Sequence, residues 1–243
     1  MRREQDPRRL AFFVTPEHSC SYLPEQRATT LFADPNYPKT MPVYSALAGH
    51  GFRRSGPHLY RPHCEQCQAC IPVRVDAPRF EPDRSQRRTL LKNQDLAVMA
   101  RPAVFDEEHF QLYANYLNQR HPGGGMDNPT REQFSEFLIS PWTQTSFYEF
   151  RDAGRLLAVA VTDHLNDGLS AVYTFFDPAV PNRGLGAFSI LWQIGEARAQ
   201  GLQWVYLGYL IEQTPKMSYK DRYQPQQRLV QGQWVETLPG NRV

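Results

Sequence analysis

A chain of 243 residues with 41% apolar and 21% charged side chains can bury one large domain or two modest ones, and it is too apolar for a disordered polyelectrolyte. No run approaches the ~20 apolar residues that a membrane-crossing helix needs, and the opening MRREQDPRRLAFFV lacks the roughly 7–15 apolar residues of a secretory leader, so a cytosolic protein with no membrane partner is expected. A formal net charge of +2 excludes a general polycation, so any anionic partner must be met by local clusters of arginine and lysine.

In chain order, residues 11–14 predict a strand, 42–49 a short helix, 71–76 a strand and 84–94 a helix. Many of the 20 prolines fall in this half and predict a turn-rich region. Beyond residue 100 the periodicity sharpens. Phe110, Tyr113, Ala114 and Leu117 recur at helical spacing behind an Asp-Glu-Glu start that suits the helix dipole. Phe134, Phe137 and Leu138 repeat the spacing, with Asn128 or Thr130 as the cap, and HPGGGMD between the two helices reads as a flexible loop. TSFYEF, RLLAVAVTDHL and LSAVYTFF are strand-like, and Asn166-Asp167-Gly168 joins the last two as a hairpin. DPAVPNRGLG is a loop, AFSILWQIGEARAQG an amphipathic helix with Gly201 near its C-cap, and LQWVYLGYL a strand. This order defines a mixed α/β (α+β) chain and fits the acyltransferase fold of the acetyltransferase superfamily. It divides into an irregular cysteine-bearing segment, 1–100, and an acetyltransferase-like segment, 101–243.

Two motifs carry chemistry. RGLGAF sets Arg183, Gly184 and Gly186 before a helix, where free amides and the dipole favour an anion and glycine lets it approach the main chain; a plain turn into a helix is the alternative. HCEQCQACIP sets Cys64, Cys67 and Cys70 at three-residue steps, and Cys20 is the only other cysteine. Four soft ligands suffice for tetrahedral zinc or an iron–sulfur cluster, although reduced structural thiols fit the same spacing. A cytosolic location argues against disulfides.

Read in order, SCSYLPEQRATTLF, GFRRSGPHLYRPHCEQCQACIPVRV, RSQRRTLLKNQDL, VYTFFDP and YLGYLIEQTPKMSYKDRYQP resemble the bacterial aspartate/glutamate leucyltransferases, relatives of the eukaryotic arginyl-tRNA–protein transferases. The likeness is collinear from about Phe12 to Pro225. It implies an N-degron enzyme that moves leucine from leucyl-tRNA to proteins whose first residue is Asp or Glu. The eukaryotic relatives pair their first cysteine with a second three residues on, where this chain has Leu23, and Gly184 stands where serine is expected.

Aminolysis of an aminoacyl ester needs alignment, a proton acceptor and support for the oxyanion, and no metal is required. For that reaction Asp177 is the candidate proton relay, with turn capping before Pro178 as the plainer role. Tyr206 and Tyr209 are candidates for bonding a ribose hydroxyl or the leaving oxygen, or else are packed strand residues. Lys216, Lys220 and Arg222 crowd one segment beside Tyr219 and Tyr223, as a tRNA end and an acceptor carboxylate demand. Arg53, Arg54, Arg74, Arg87 and Arg88 are the other cations suited to the acidic N-terminus or to phosphates. Met217, Leu156, Val159 and Phe175 are candidates for a leucine pocket, and core packing explains them equally. Arginine as the donor, and a coenzyme-A-dependent acetyltransferase, remain alternatives. Against the second, Pro181 occupies the first position of the pyrophosphate motif.

Overall fold

The structure, a computed structural model, describes residues 9–120 and 127–237. Of the loop HPGGGMD expected at 121–127, residues 121–126 lie outside them. The N-terminal part holds β1 (Phe12–Val14), β2 (His18–Ser19), β3 (Arg27–Ala28), β4 (Thr30–Ala33), α1 (Met41–Gly49), β5 (Arg53–Ser55) and β6 (His58–Pro62). Next come β7 (Ile71–Asp76), α2 (Arg84–Lys92), β8 (Ala97–Pro102), α3 (Glu107–Arg120) and α4 (Arg131–Leu138). The meander β9 (Thr145–Asp152), β10 (Arg155–His164) and β11 (Gly168–Phe176) leads through a 3₁₀ turn into α5 (Leu185–Ala199) and β12 (Trp204–Leu210). After α6 (Pro215–Ser218) and a second 3₁₀ turn, β13 (Gln226–Val230) and β14 (Gln233–Thr237) close the described chain.

Strands β1-β4-β6-β5 form a small sheet, β2 and β3 a two-stranded ribbon, and the other eight a large sheet ordered β14-β13-β7-β12-β11-β10-β9-β8. The mixed α/β expectation holds. The large sheet draws on both sides of residue 100, because β7 pairs with β12 and with β13. Alternation along β10 sorts its two faces. Val159 and Val161 meet Phe110, Tyr113 and Phe134 of α3 and α4, whereas Ala158 and Ala160 pack with Leu185 and Phe188 of α5. The small sheet and α1 join the α3/α4 face through Tyr44, Leu47 and Phe52 against Tyr206.

The local signals explain the element ends. Thr130, rather than Asn128, caps α4: its hydroxyl accepts from Gln133 N, and the Gln133 side chain accepts from Thr130 N. Asp83 and Gln86 build the same box on α2. Gly201 sits at φ +70° after α5, which also begins two residues earlier than its periodicity suggests.

Candidate active site

The position of the site follows from one irregularity in the sheet. Strands β11 and β12 are its parallel neighbours among the described residues, and they pair only from Gly168↔Trp204 to Ser170↔Tyr206. Both continue beyond that point, so their carboxyl ends diverge, and Ala171–Thr174 become half-exposed. Such an opening at the carboxyl ends of parallel strands is where open α/β sheets take ligands. Gly208, at φ +82°, makes a bulge in β12 against β7. The extra residue turns Tyr209 to the same face as Tyr206 while Val205, Leu207 and Leu210 stay on the α5 side.

The guanidinium of Arg53, from β5, fills the apex of this divergence. It donates to Ser170 Oγ (3.0 Å), to the Tyr206 carbonyl (3.2 Å) and to the Ala171 carbonyl. A Cβ on residue 208 would stand 3.3 Å from Arg53 Nε, so glycine there makes room for the arginine. Lys220 forms one wall. It is 4% exposed, and its Nζ donates to the Tyr209 carbonyl at 2.8 Å and lies 3.2 Å from Met217 Sδ. Among the described residues neither cation has a carboxylate partner. Burial, and then the neighbouring positive charge of Arg53, push the Lys220 amine down to about 7, against the lesser pull of Cys70. Tyr219 is 40% exposed beside it, and Tyr113, Tyr116 and Phe137 surround Tyr173 on the β11 side.

Several other expected site residues are engaged by partners within the protein. Asp177 accepts from Ala179 N (2.9 Å) and from Arg155, which makes it the cap of the Asp-Pro turn. The Tyr206 hydroxyl donates to Asp167 (2.9 Å) and receives Arg74 (3.2 Å); that of Tyr209 donates to the Gly51 carbonyl (3.0 Å). Arg74 lies between the rings of Trp204 and Trp234. Arg54 is fully buried, clasping Asp163 at 2.6 and 2.9 Å, so it faces no solvent. Arg183 is held by Asp95 (2.9 Å) and Asp152 (3.0 Å), away from any incoming phosphate. Gly184 adopts φ +65° at the helix start, and Gly186 faces the Phe176 ring. Leu156, Val159 and Phe175 are core residues. Lys216 and Arg222 are exposed, and the Arg222 carbonyl receives Gln86 Nε2 at 3.0 Å.

The four thiols, all half-buried, converge next to Lys220. Cys20 Sγ accepts from the backbone N–H of Tyr22 and of Leu23, both at 3.4 Å. Burial and the three other sulfurs push the Cys70 thiol up to about 12, with Lys220 opposing. Among the described residues no three His, Cys, Asp or Glu side chains form, as they stand, a group that could hold a metal ion. An open pocket of about 650 Å³ lies alongside, between Leu23–Gln26, Gln66–Ala69 and Glu212–Gln213. Its lining includes Glu25 and Glu212 but no lysine or arginine, so it offers an anionic group no counter-charge.

Sequence reasoning counted Lys220 among the cations for a tRNA end and an acceptor carboxylate and did not foresee its burial. The available signal was its place between Tyr219 and Tyr223, in a segment returning to the sheet. For Arg53 and Arg54 the signal was strand alternation, which sends neighbouring side chains to opposite faces.

Family models assign the class. The model for the N terminus of arginine-tRNA-protein transferase matches residues 18–88 and that for its C terminus matches residues 108–230, and the chain belongs to this family. The chain is 55% identical over 227 residues to an aspartate/glutamate leucyltransferase of Pseudomonas fluorescens strain SBW25, covering 93% of this chain and 97% of that one. It is 54% identical over 232 residues to the Alcanivorax borkumensis strain SK2 protein of the same name, covering 96% of each. The solved L-PGS of Bacillus licheniformis aligns at 12% identity and TM-score 0.47 over 62% of this chain and 48% of its own.

Proposed function

We propose that the chain transfers leucine from leucyl-tRNA to the α-amine of polypeptides that begin with Asp or Glu, and that it does so on an acetyltransferase-like sheet in the cytosol. The new N-terminal leucine marks the acceptor for proteolysis. The reading is carried by the identity with leucyltransferases over 93% of the chain, and the two cations without carboxylate partners at the strand divergence support it. No described helix is long and apolar enough to cross a membrane.

The acceptor's side-chain carboxylate is drawn to the positive potential of Arg53. Its α-amine, with an ordinary pKa of about 7.7–8.0, attacks the ester carbonyl; the new amide forms as the bond to the ribose oxygen breaks. Lys220, poised near neutrality, takes the proton from the attacking nitrogen and returns it to the departing oxygen. Its Nζ has two hydrogen-bond partners and, when neutral, one lone pair for this task. A coenzyme A reading is disfavoured because Arg183, the cation of the expected phosphate loop, is neutralised by two carboxylates.

The test is transfer from leucyl-tRNA to peptides that differ only in their first residue. Asp and Glu peptides are expected to react at least tenfold faster than Asn, Gln or Ala peptides. Equal rates for all five would remove the acceptor-charge argument, and transfer from acetyl-coenzyme A in place of leucyl-tRNA would replace the reading outright.

A further inference from the structure

Helix α2 presents cations that the reaction at the cleft does not use. Arg84, Arg88 and Lys92 fall at i, i+4 and i+8, and Arg87 lies on the same arc, so four positive side chains share one helical face about 12 Å long. All four are exposed, and among the described residues none pairs with a carboxylate. Arg87 and Lys92 donate only to the carbonyls of Pro82 (2.6 Å) and Asn182 (2.8 Å). The opposite face is fixed to the protein by Gln86 and Asn93, both buried.

Like charges at i, i+4 destabilise a helix by about 0.2–0.5 kcal/mol per pair, so the stripe is a cost to the fold. Its position gives it a use. The start of α2 is tied to the cleft wall by Gln86 Nε2 on the Arg222 carbonyl (3.0 Å). Its end is tied to the start of α5 by Asn93 Nδ2 on the Arg183 carbonyl (2.8 Å). The stripe therefore runs from the Lys220–Arg222 turn to the helix that follows β11. We infer that this face of α2 is the docking surface for the phosphate backbone of the tRNA acceptor stem, placed so that the esterified 3′ end reaches the divergence of β11 and β12. The inference rests on the transferase reading and adds the surface that receives the nucleic acid. A polyanionic backbone fits repeated, flexible, unpaired cations on a convex helix, whereas an acidic peptide side chain would need only one or two of them.

The test uses the full chain carrying Arg84→Gln, Arg87→Gln, Arg88→Gln and Lys92→Gln together. The KM for leucyl-tRNA is expected to rise 10- to 100-fold while kcat and the KM for an Asp-initiated peptide stay within twofold. In a salt titration of tRNA binding, the log–log slope should shrink by about 3–3.5, since each of the four lost phosphate contacts removes roughly 0.7–0.9. Thermal melting should be unchanged or slightly raised, which separates lost docking from lost folding. An unchanged KM and slope in an active variant would overturn the surface and leave the transferase standing. A rise confined to the peptide KM would also overturn it and give the stripe to an acidic polypeptide. Absence of leucyl transfer by the unaltered protein would instead strike the transferase reading, and the salt titration would still decide the surface.

Discussion

Lys220→Met is expected to yield a protein that is harder to unfold and at least 100-fold slower in leucyl transfer. The lysine value falls from its ordinary 10.5 to about 7 on folding, so folding disfavours the protonated amine. The resulting penalty is complete below pH 7, shrinks as pH rises from about 7 to 10.5, and is gone above that range. Its size is on the order of 4 kcal/mol at pH 6. Methionine removes it but leaves the Tyr209 carbonyl without its donor, a cost of about 1–2 kcal/mol, so the net gain at pH 6 should be roughly 2–3 kcal/mol. Urea denaturation of both proteins at pH 6 and pH 9 checks this: the gain must be larger at pH 6. Lys220→Arg separates proton transfer from simple attraction, because it keeps a cation that never deprotonates near neutrality. It should be as slow as the methionine variant and should lose the rise in kcat/KM through pH 7. Full activity in Lys220→Arg would end the proton-acceptor assignment.

Arg54→Met is expected to cost about 3–5 kcal/mol, enough to unfold much of the population at 37 °C. Arg54 and Asp163 are both fully buried, and Asp163 also takes the hydroxyls of Tyr44 (2.8 Å) and Thr145 (2.6 Å). Methionine fills the volume but strands a carboxylate with two neutral donors and no counter-charge. Adding Asp163→Asn removes the stranded charge, keeps an acceptor for the hydroxyls, and should recover about half of the loss. Arg54 also donates to the carbonyls of Gly56 and Leu138, so the pair joins the β5–β6 hairpin to α4 and to β10. A loss below 1 kcal/mol by urea titration at pH 7 would show that this network does not hold the small sheet on the large one.

Local codes made the β9–β11 meander, α2, α3, α4 and α5 legible in the sequence: α3 and α4 bury a face at helical spacing, and capping boxes start α2 and α4. Gly201 and the Asn166–Gly168 turn were legible for the same reason. The short strands β2 to β6 were not, since prolines and polar residues hide any alternation over two to five positions. The terminal pair β13 and β14 is rich in glutamine and becomes a strand pair by adding to the edge of β7, a contact no local pattern announces. At the site, the collinear blocks located the right segments, but the partition of cations depended on distant partners. Arg183 finds Asp95 and Asp152 and Arg54 finds Asp163, whereas Arg53 and Lys220, among the described residues, find no carboxylate. Charge is legible in a sequence; which charges are cancelled is decided by tertiary contact.

The placement of β7 bears on how the chain reaches this state during synthesis. Its two neighbours, β12 and β13, are made only after the whole of 77–203 has been synthesised. Until then Ile71–Asp76 has apolar Val73 and Val75 ready and neither of these partners to pair with, so the large sheet closes only after this long intervening stretch has left the ribosome. A nascent chain stalled before Trp204 therefore holds the cysteine segment and the basic helix but no centre at which an ester and an amine could meet.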